Sequence, residues 1–321
     1  MPLREPSWFW LVQIERGLMD FNSIHILLTY QCNYECDHCF AWGSPWQTGV
    51  FTVEQLEDVF QQALALGQIR EFYFEGGETF LYYPILLQAV ARATELGFAT
   101  GIVTNGYWAT TVEDALVWLR PLAAAGLNRI EISSDLFHGD TPGEIAEHPG
   151  LVAARQLGLI EGTISIEPPT GYRNPEASVP GEAISGGDVM YRGRAAEKLT
   201  AGLPTHPWDS FITCPYENLV NPGRIHLDPL GNLHMCQGLV IGNLFERPLA
   251  QIAAEYDPEE HPVIGPLLAG GPAQLVREYH LPHEAGYVDA CHLCYTARQQ
   301  LRSRFPMELA PDQMYGVMEA A

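Results

Sequence analysis

Cys32-Asn33-Tyr34-Glu35-Cys36-Asp37-His38-Cys39 places three thiols at C-x3-C-x2-C spacing, directly after the apolar run Ser23 to Tyr30. Three thiolates can hold three irons of a cubane [4Fe–4S] cluster and leave the fourth iron open to another ligand. Zinc is the competing metal, but structural zinc sites are closed by four ligands, usually in C-x2-C pairs. A buried apolar cysteine cluster suits the polar neighbours Asn33, Glu35, Asp37 and His38 poorly.

Further along, Glu75-Gly76-Gly77-Glu78 ends the run Phe72-Tyr73-Phe74. Paired glycines at a strand end let backbone groups approach a ligand closely. Together the two segments resemble the radical S-adenosylmethionine (radical SAM) enzymes, whose signature is C-x3-C-x-aromatic-C, with His38 in the aromatic slot. The resemblance implies that the open iron chelates the amino and carboxylate groups of SAM. It also implies that the reduced cluster cleaves SAM to methionine and a 5′-deoxyadenosyl radical, which abstracts a substrate hydrogen. Gly76, Gly77 and Glu78 match the G-G-E segment that holds the SAM amino group.

Cys214, Cys236, Cys291 and Cys294 remain. Gly231 to Cys236 fits G-x4-C, and Cys291 to Cys294 fits C-x2-C. This resembles the SPASM or twitch extensions that carry auxiliary iron–sulfur clusters. Ile225-His226-Leu227 and Leu233-His234-Met235, around the turn residues Asp228 to Asn232, read as a β-hairpin. Leu281 to Cys294 reads as a ligand-bearing loop. Four thiolates at these spacings suit zinc equally. As a cluster site the set is closed, so its work is moving electrons or stapling the region.

Strand and helix signals alternate, which argues for a parallel α/β sheet. Thr52-Val53-Glu54-Gln55 is a capping box, and Gly67 follows its helix. Strand Glu71 to Glu75, a helix from near Pro84 to Gly97, strand Thr100 to Thr104 and a helix from Thr111 to Gly126 come next. Strand Arg129 to Ser133, a helix around Glu144 to Leu157 and strand Thr163 to Glu167 complete five units, with a sixth strand sought at Val189 to Gly193. The expected fold is α/β, the partial (β/α)6 TIM-like barrel that the resemblance implies, with a smaller C-terminal β-hairpin/helix iron–sulfur domain. Pro168 to Pro207 reads as a linker or active-site cover, and the boundary is placed at 1–205 and 206–321.

Ligands of parallel α/β folds sit at the carboxyl ends of strands. Thr104, Asn105 and Gly106 would converge there with the segments Ser133 to His138 and Glu167 to Pro169. By family analogy Ser133, Ser134 or Asp135 holds the SAM ribose, and Arg192 and Arg194 are candidates for its carboxylate. Asp135 and His138 lie where a base is wanted to take a proton from a substrate radical.

With all seven cysteines assigned to metal, no thiol remains as hydrogen-atom donor, although Tyr107 offers a substitute. The favoured outcome is therefore two-electron oxidation, giving a carbonyl, a double bond or a cross-link, with the auxiliary cluster accepting the electron. The substrate is a small polar metabolite or a ribosomally made peptide, and a flavodoxin- or ferredoxin-type protein supplies electrons. Peptide epimerisation and a non-catalytic iron–sulfur or zinc protein are the alternatives.

A formal net charge of −22 argues against nucleic-acid partners, which need Lys and Arg to neutralise phosphate. Lys198 is the only lysine and lies in a helix-like run without a supporting motif, so pyridoxal chemistry is not expected. Seven cysteines in ligand-like spacings suit a reducing compartment. Trp8 to Ile14 is too short for a signal peptide or membrane span, so a cytoplasmic protein without a membrane partner is expected.

Overall fold

A computed structural model describes residues 19–139, 148–169, 180–181 and 186–317. The apolar stretch Trp8 to Ile14, the expected helix start at Glu144, and residues 170–179 and 182–185 of the expected linker lie outside the described residues.

Five strands follow one another in parallel: β1 (Phe21–Thr29), β2 (Glu71–Gly76), β3 (Ala99–Thr104), β4 (Arg129–Ser133) and β5 (Ile160–Ile166). A sixth, β6 (Gly186–Gly187), pairs in parallel with β5. It lies just before Val189 to Gly193, where a strand was expected; those residues are coil and turn leading into α5 (Arg194–Lys198).

The connecting helices are α1 (Val53–Leu66), α2 (Tyr83–Glu95), α3 (Val112–Ala124) and α4 (Pro149–Gln156). The start signals of α1 and α3 operate as written. Thr52 accepts from the Gln55 amide while the Gln55 side chain accepts from Thr52, and Gly67 closes α1 at φ +77°. Thr111 caps α3 through the Asp114 amide.

Alternation along the strands separates two faces. Phe72, Phe74, Ile102, Ile130 and Ile132 pack with Phe60, Val90, Leu119 and Ala154 of the helices in one core. The intervening residues, among them Tyr73, Glu75, Glu131 and Ser133, line a cavity on the inner face. The architecture is α/β with a parallel sheet, consistent with a partial barrel.

The C-terminal part grows onto the same sheet. After β7 (His206–Pro207), strand β8 (Gly223–Leu227) pairs in parallel with β1, and β9 (Asn232–Cys236) and β10 (Leu239–Asn243) continue antiparallel. The hairpin turn is organised by Asp228, whose side chain accepts from the amides of Leu230 and Asn232 and from the Asn232 side chain, the Tyr30 hydroxyl and the His234 ring. Helices α6 (Leu249–Glu255), α7 (Ile264–Tyr279) and α8 (Ala290–Leu301) complete this region.

Leu281 to Cys294 is not one loop. β11 (Gly286–Tyr287) pairs with β7, and α8 starts at Ala290 because the Asp289 carboxylate caps the His292 amide at 2.7 Å. Cys291 and Cys294 therefore stand in the first turns of a helix.

Candidate active site

The carboxyl ends of the parallel strands meet at a cavity of about 650 Å³. Cys32, Cys36, His38, Cys39, Gly76, Gly77, Thr104, Asn105, Ser133, His138 and Arg192 line it, together with polar residues of the inner face. The expected cysteine triplet, the glycine pair and the strand ends thus come to one place.

The cysteine loop is held by backbone and by amide donors. The Gly43 backbone N–H donates to the Cys39 sulfur at 3.2 Å, that of Tyr34 to the Cys32 sulfur at 3.4 Å, and the Asn105 side-chain Nδ2 reaches Cys32 at 3.7 Å. Such donors stabilise thiolate ligands and tune a bound cluster. As free thiols, Cys32 and Cys36 are each pushed up to about 12 by burial, so metal loading would release their protons.

Glu78 does not face the cavity. Its carboxylate is buried and accepts from the Phe80 amide at 3.0 Å, the Thr104 hydroxyl at 2.8 Å and the Asn105 amide at 2.7 Å. It joins the ends of β2 and β3. Burial nevertheless raises its pKa to about 7. Gly77 is required by close approach, since a Cβ there would collide with the Gln31 carbonyl.

Arg194 also differs from expectation. Its guanidinium donates to the Cys36 and Gly43 carbonyls at 2.8 Å each and lies over Trp42. It clamps the cysteine loop and is not among the cavity's lining residues. Preceding it, Gly193 has φ +58°, and a Cβ there would sit 2.6 Å from the Cys39 carbonyl oxygen.

Arg192 reaches the cavity, and its Nη1 donates at 3.2 Å to both the Glu217 carboxylate and the Cys236 sulfur. It stands between the cavity and the second thiol set.

The second set converges from three elements: Cys214 before β8, Cys236 at the end of β9, and Cys291 and Cys294 on α8. Burial pushes Cys214 up to about 12 and raises Cys291 and Cys294, with the neighbouring thiols of the set adding to each shift. Two buried arginines flank them, Arg192 at Cys236 and Arg298 beside Cys294. Their positive charge suits a site that carries extra thiolate charge when loaded.

Asp135 and His138 are brought together. Asp135 Oδ1 accepts from the amides of Phe137 and His138 and lies 2.8 Å from His138 Nδ1, while Oδ2 accepts from the Ile166 amide. Burial works against the Asp135 carboxylate, yet its hydrogen bonds to the His138 ring and the Ile166 amide hold its pKa below the ordinary value. With four donors around it, Asp135 orients His138, which lines the cavity. His38 packs on Phe137 with ring centres 4.6 Å apart, and burial lowers it to about 4.

Ser133 lines the cavity, whereas Ser134 is 1 % exposed and donates its amide to Ile164. Sequence reasoning missed the polar inner face: His25, Tyr73, Glu75, Arg129, Glu131, Arg224 and His226. The signal was present as alternation, Glu71-x-Tyr73-x-Glu75, Arg129-x-Glu131-x-Ser133 and Arg224-x-His226, in strands otherwise apolar. Gln237 and Arg298, beside the second thiol set, carried no such signal.

Residues 26–143 match the family described as the Radical SAM superfamily, and this segment is a radical SAM domain. YydG of Bacillus subtilis (strain 168), provisionally named a peptide biosynthesis protein, is 24% identical over 117 residues, 36% of this chain and 37% of its own. An S-adenosylmethionine-dependent nucleotide dehydratase of Pseudoalteromonas ulvae is 31% identical over 107 residues, 28% of this chain and 34% of its own. This chain thus spans little more than a third of the length of these relatives. The crystal structure of BtrN in complex with AdoMet and 2-DOIA is similar with a TM-score of 0.48 and 18% identity, over 74% of this chain and 85% of that one. A domain of this family implies a [4Fe–4S] cluster and SAM. Among the described residues, no helix is long and apolar enough to cross a membrane.

Proposed function

We propose that this protein is a radical SAM enzyme that oxidises a small polar metabolite by two electrons. Cys32, Cys36 and Cys39 hold the SAM-binding cluster, and Cys214, Cys236, Cys291 and Cys294 hold a second, closed cluster that accepts one electron. When bound, the first cluster and SAM supply a carbon radical that removes a hydrogen atom from substrate. Residues 206–321 form the auxiliary-cluster region, built onto the edge of the barrel sheet.

The carrying observation is that the cysteine triplet and the polar inner face open into one cavity of about 650 Å³. That volume lies within the range of small-molecule sites. His138, oriented by Asp135, is placed to take the proton that the oxidised substrate gives up. Arg192 links the cavity to Cys236, which favours electron exit toward the second thiol set. Gly76 and Gly77 offer backbone to SAM at the end of β2.

The test is anaerobic incubation of reconstituted, reduced protein with SAM and a panel of aminosugars and cyclitols, read as 5′-deoxyadenosine and oxidised product. Both should form, and replacing Cys32, Cys36 and Cys39 by Ala should abolish both. Reconstituted protein should carry about eight irons per chain. About four, with zinc in the second set, would remove the electron-acceptor role. The likeness to YydG supports a peptide as the second substrate class, and turnover of peptides but not metabolites would select it.

A further inference from the structure

Three inner-face residues on adjacent strands meet in the cavity: His25 on β1, Glu75 on β2 and His226 on β8. One ligand atom from each lies within 4.8 Å of the other two. Glu75 Oε1 is 3.1 Å from His226 Nε2, and Glu75 Oε2 is 3.5 Å from His25 Nδ1. Donors bound at about 2.0–2.1 Å around a tetrahedral ion stand roughly 3.4 Å apart, so both separations suit a shared ion.

Their hydrogen-bonding is incomplete. Beyond the His226 ring at 3.1 Å, Glu75 Oε1 is buried with no hydrogen-bond donor, and His226 Nδ1 is buried without a partner. Buried polar atoms of this kind call for an ion or water that completes them. The surrounding charges do not supply a cation. Arg129 lies 3.7 Å from Glu131, and Arg224 lies 3.6 Å from Glu217. Among the described residues, Glu75 forms ion pairs with imidazoles alone. Two imidazoles and one carboxylate are a standard donor set for divalent zinc or iron, and leave coordination positions open.

We infer that His25, Glu75 and His226 form a binding site for a divalent transition-metal ion, separate from both thiol sets, with its open positions facing the cavity. Tyr73 stacks on His25 with ring centres 4.9 Å apart, fixing that ring against the sheet. An ion held there would offer a substrate oxygen a place to bind. The site rests on strand geometry and stands or falls apart from the proposed oxidation.

The experiment uses protein reconstituted with iron and sulfide, so that the thiols are occupied, and then equilibrated with buffered zinc. Metal analysis should find one zinc per chain beyond the iron. Zinc-edge X-ray absorption should show nitrogen and oxygen neighbours at about 2.0–2.1 Å and no sulfur at about 2.3 Å. Glu75→Gln and His226→Asn should each weaken zinc binding more than about tenfold, with iron content and circular dichroism unchanged. No retained zinc, sulfur in the zinc shell, or wild-type affinity in both variants would overturn the assignment. Should the variants misfold, the absorption spectrum of the wild-type protein decides it alone. Iron content and 5′-deoxyadenosine formation test the proposed reaction independently.

Discussion

Glu78 is a carboxylate spent on holding the mouth of the site together. Burial raises its folded pKa from 4.5 to about 7, so the folded protein holds this proton more tightly than the unfolded chain. Its favourable contribution is complete below about pH 4.5 and is lost as pH rises toward 7. Urea unfolding of Glu78→Gln, whose amide mimics the neutral carboxyl, should therefore differ from wild type least at acid pH. The difference should shift against wild type by up to about 3 kcal/mol between pH 4.5 and 7; a constant difference would mean that the carboxylate is ionised throughout. Gly193 shows a different economy of one residue. Its positive φ and its contact with the cysteine loop exclude a side chain. Gly193→Ala should cost more than about 2 kcal/mol and lower the iron content of the triplet, measured by thermal unfolding and metal analysis. The triplet itself and Gly76-Gly77 were legible as motifs, because spacing along the chain is what a tight loop reads. The partners of Glu78 and Arg194 were not, because they belong to other strands and to a loop 150 residues away.

The elements were read most reliably where local chemistry sets them. The Thr52 capping box, Gly67, the Thr111 cap and strand Arg129–Ser133 all stand as their residues indicate. The errors fall where tertiary pairing chooses. The sixth strand is Gly186–Gly187, a pair with no strand propensity of its own, kept extended by pairing with β5. Helix α8 was read as loop because its N-terminal signal, Asp289, lies beside cysteines that invite a metal-loop reading. That cap has a consequence for the second thiol set. Asp289→Ala should remove about 1 kcal/mol and fray the turn bearing Cys291 and Cys294. Iron per chain should then fall from about eight toward about four, while SAM cleavage by the triplet persists; unchanged iron would show that α8 holds its first turn without the cap.

At the scale of the molecule, the C-terminal region and the barrel share one sheet. β8 lies parallel along β1, Ile225 and Leu227 are fully buried with Phe21, Ile24 and Ile26, and Asp228 ties the hairpin to Tyr30. Residues 1–205 alone would expose that edge of β1 and its apolar neighbours. Such a fragment should lack a cooperative unfolding transition and expose surface to hydrophobic dyes; cooperative unfolding would show that the two parts are independent. Sharing a sheet also brings Arg192 to Cys236 and His226 to Glu75. The amino-acid sequence by itself determined the alternation of parallel strands and helices, the three-thiol loop after the first strand and the glycine pair after the second. These are periodic or contiguous features, dictated by backbone geometry and by ligand spacing along the chain. Only the tertiary structure decided which polar residues share the cavity, which arginines reach which carbonyl or sulfur, and where the hairpin docks. Those contacts join residues 44 to 198 positions apart, and strand order and register, set by burial of the outer faces against the helices, determine them.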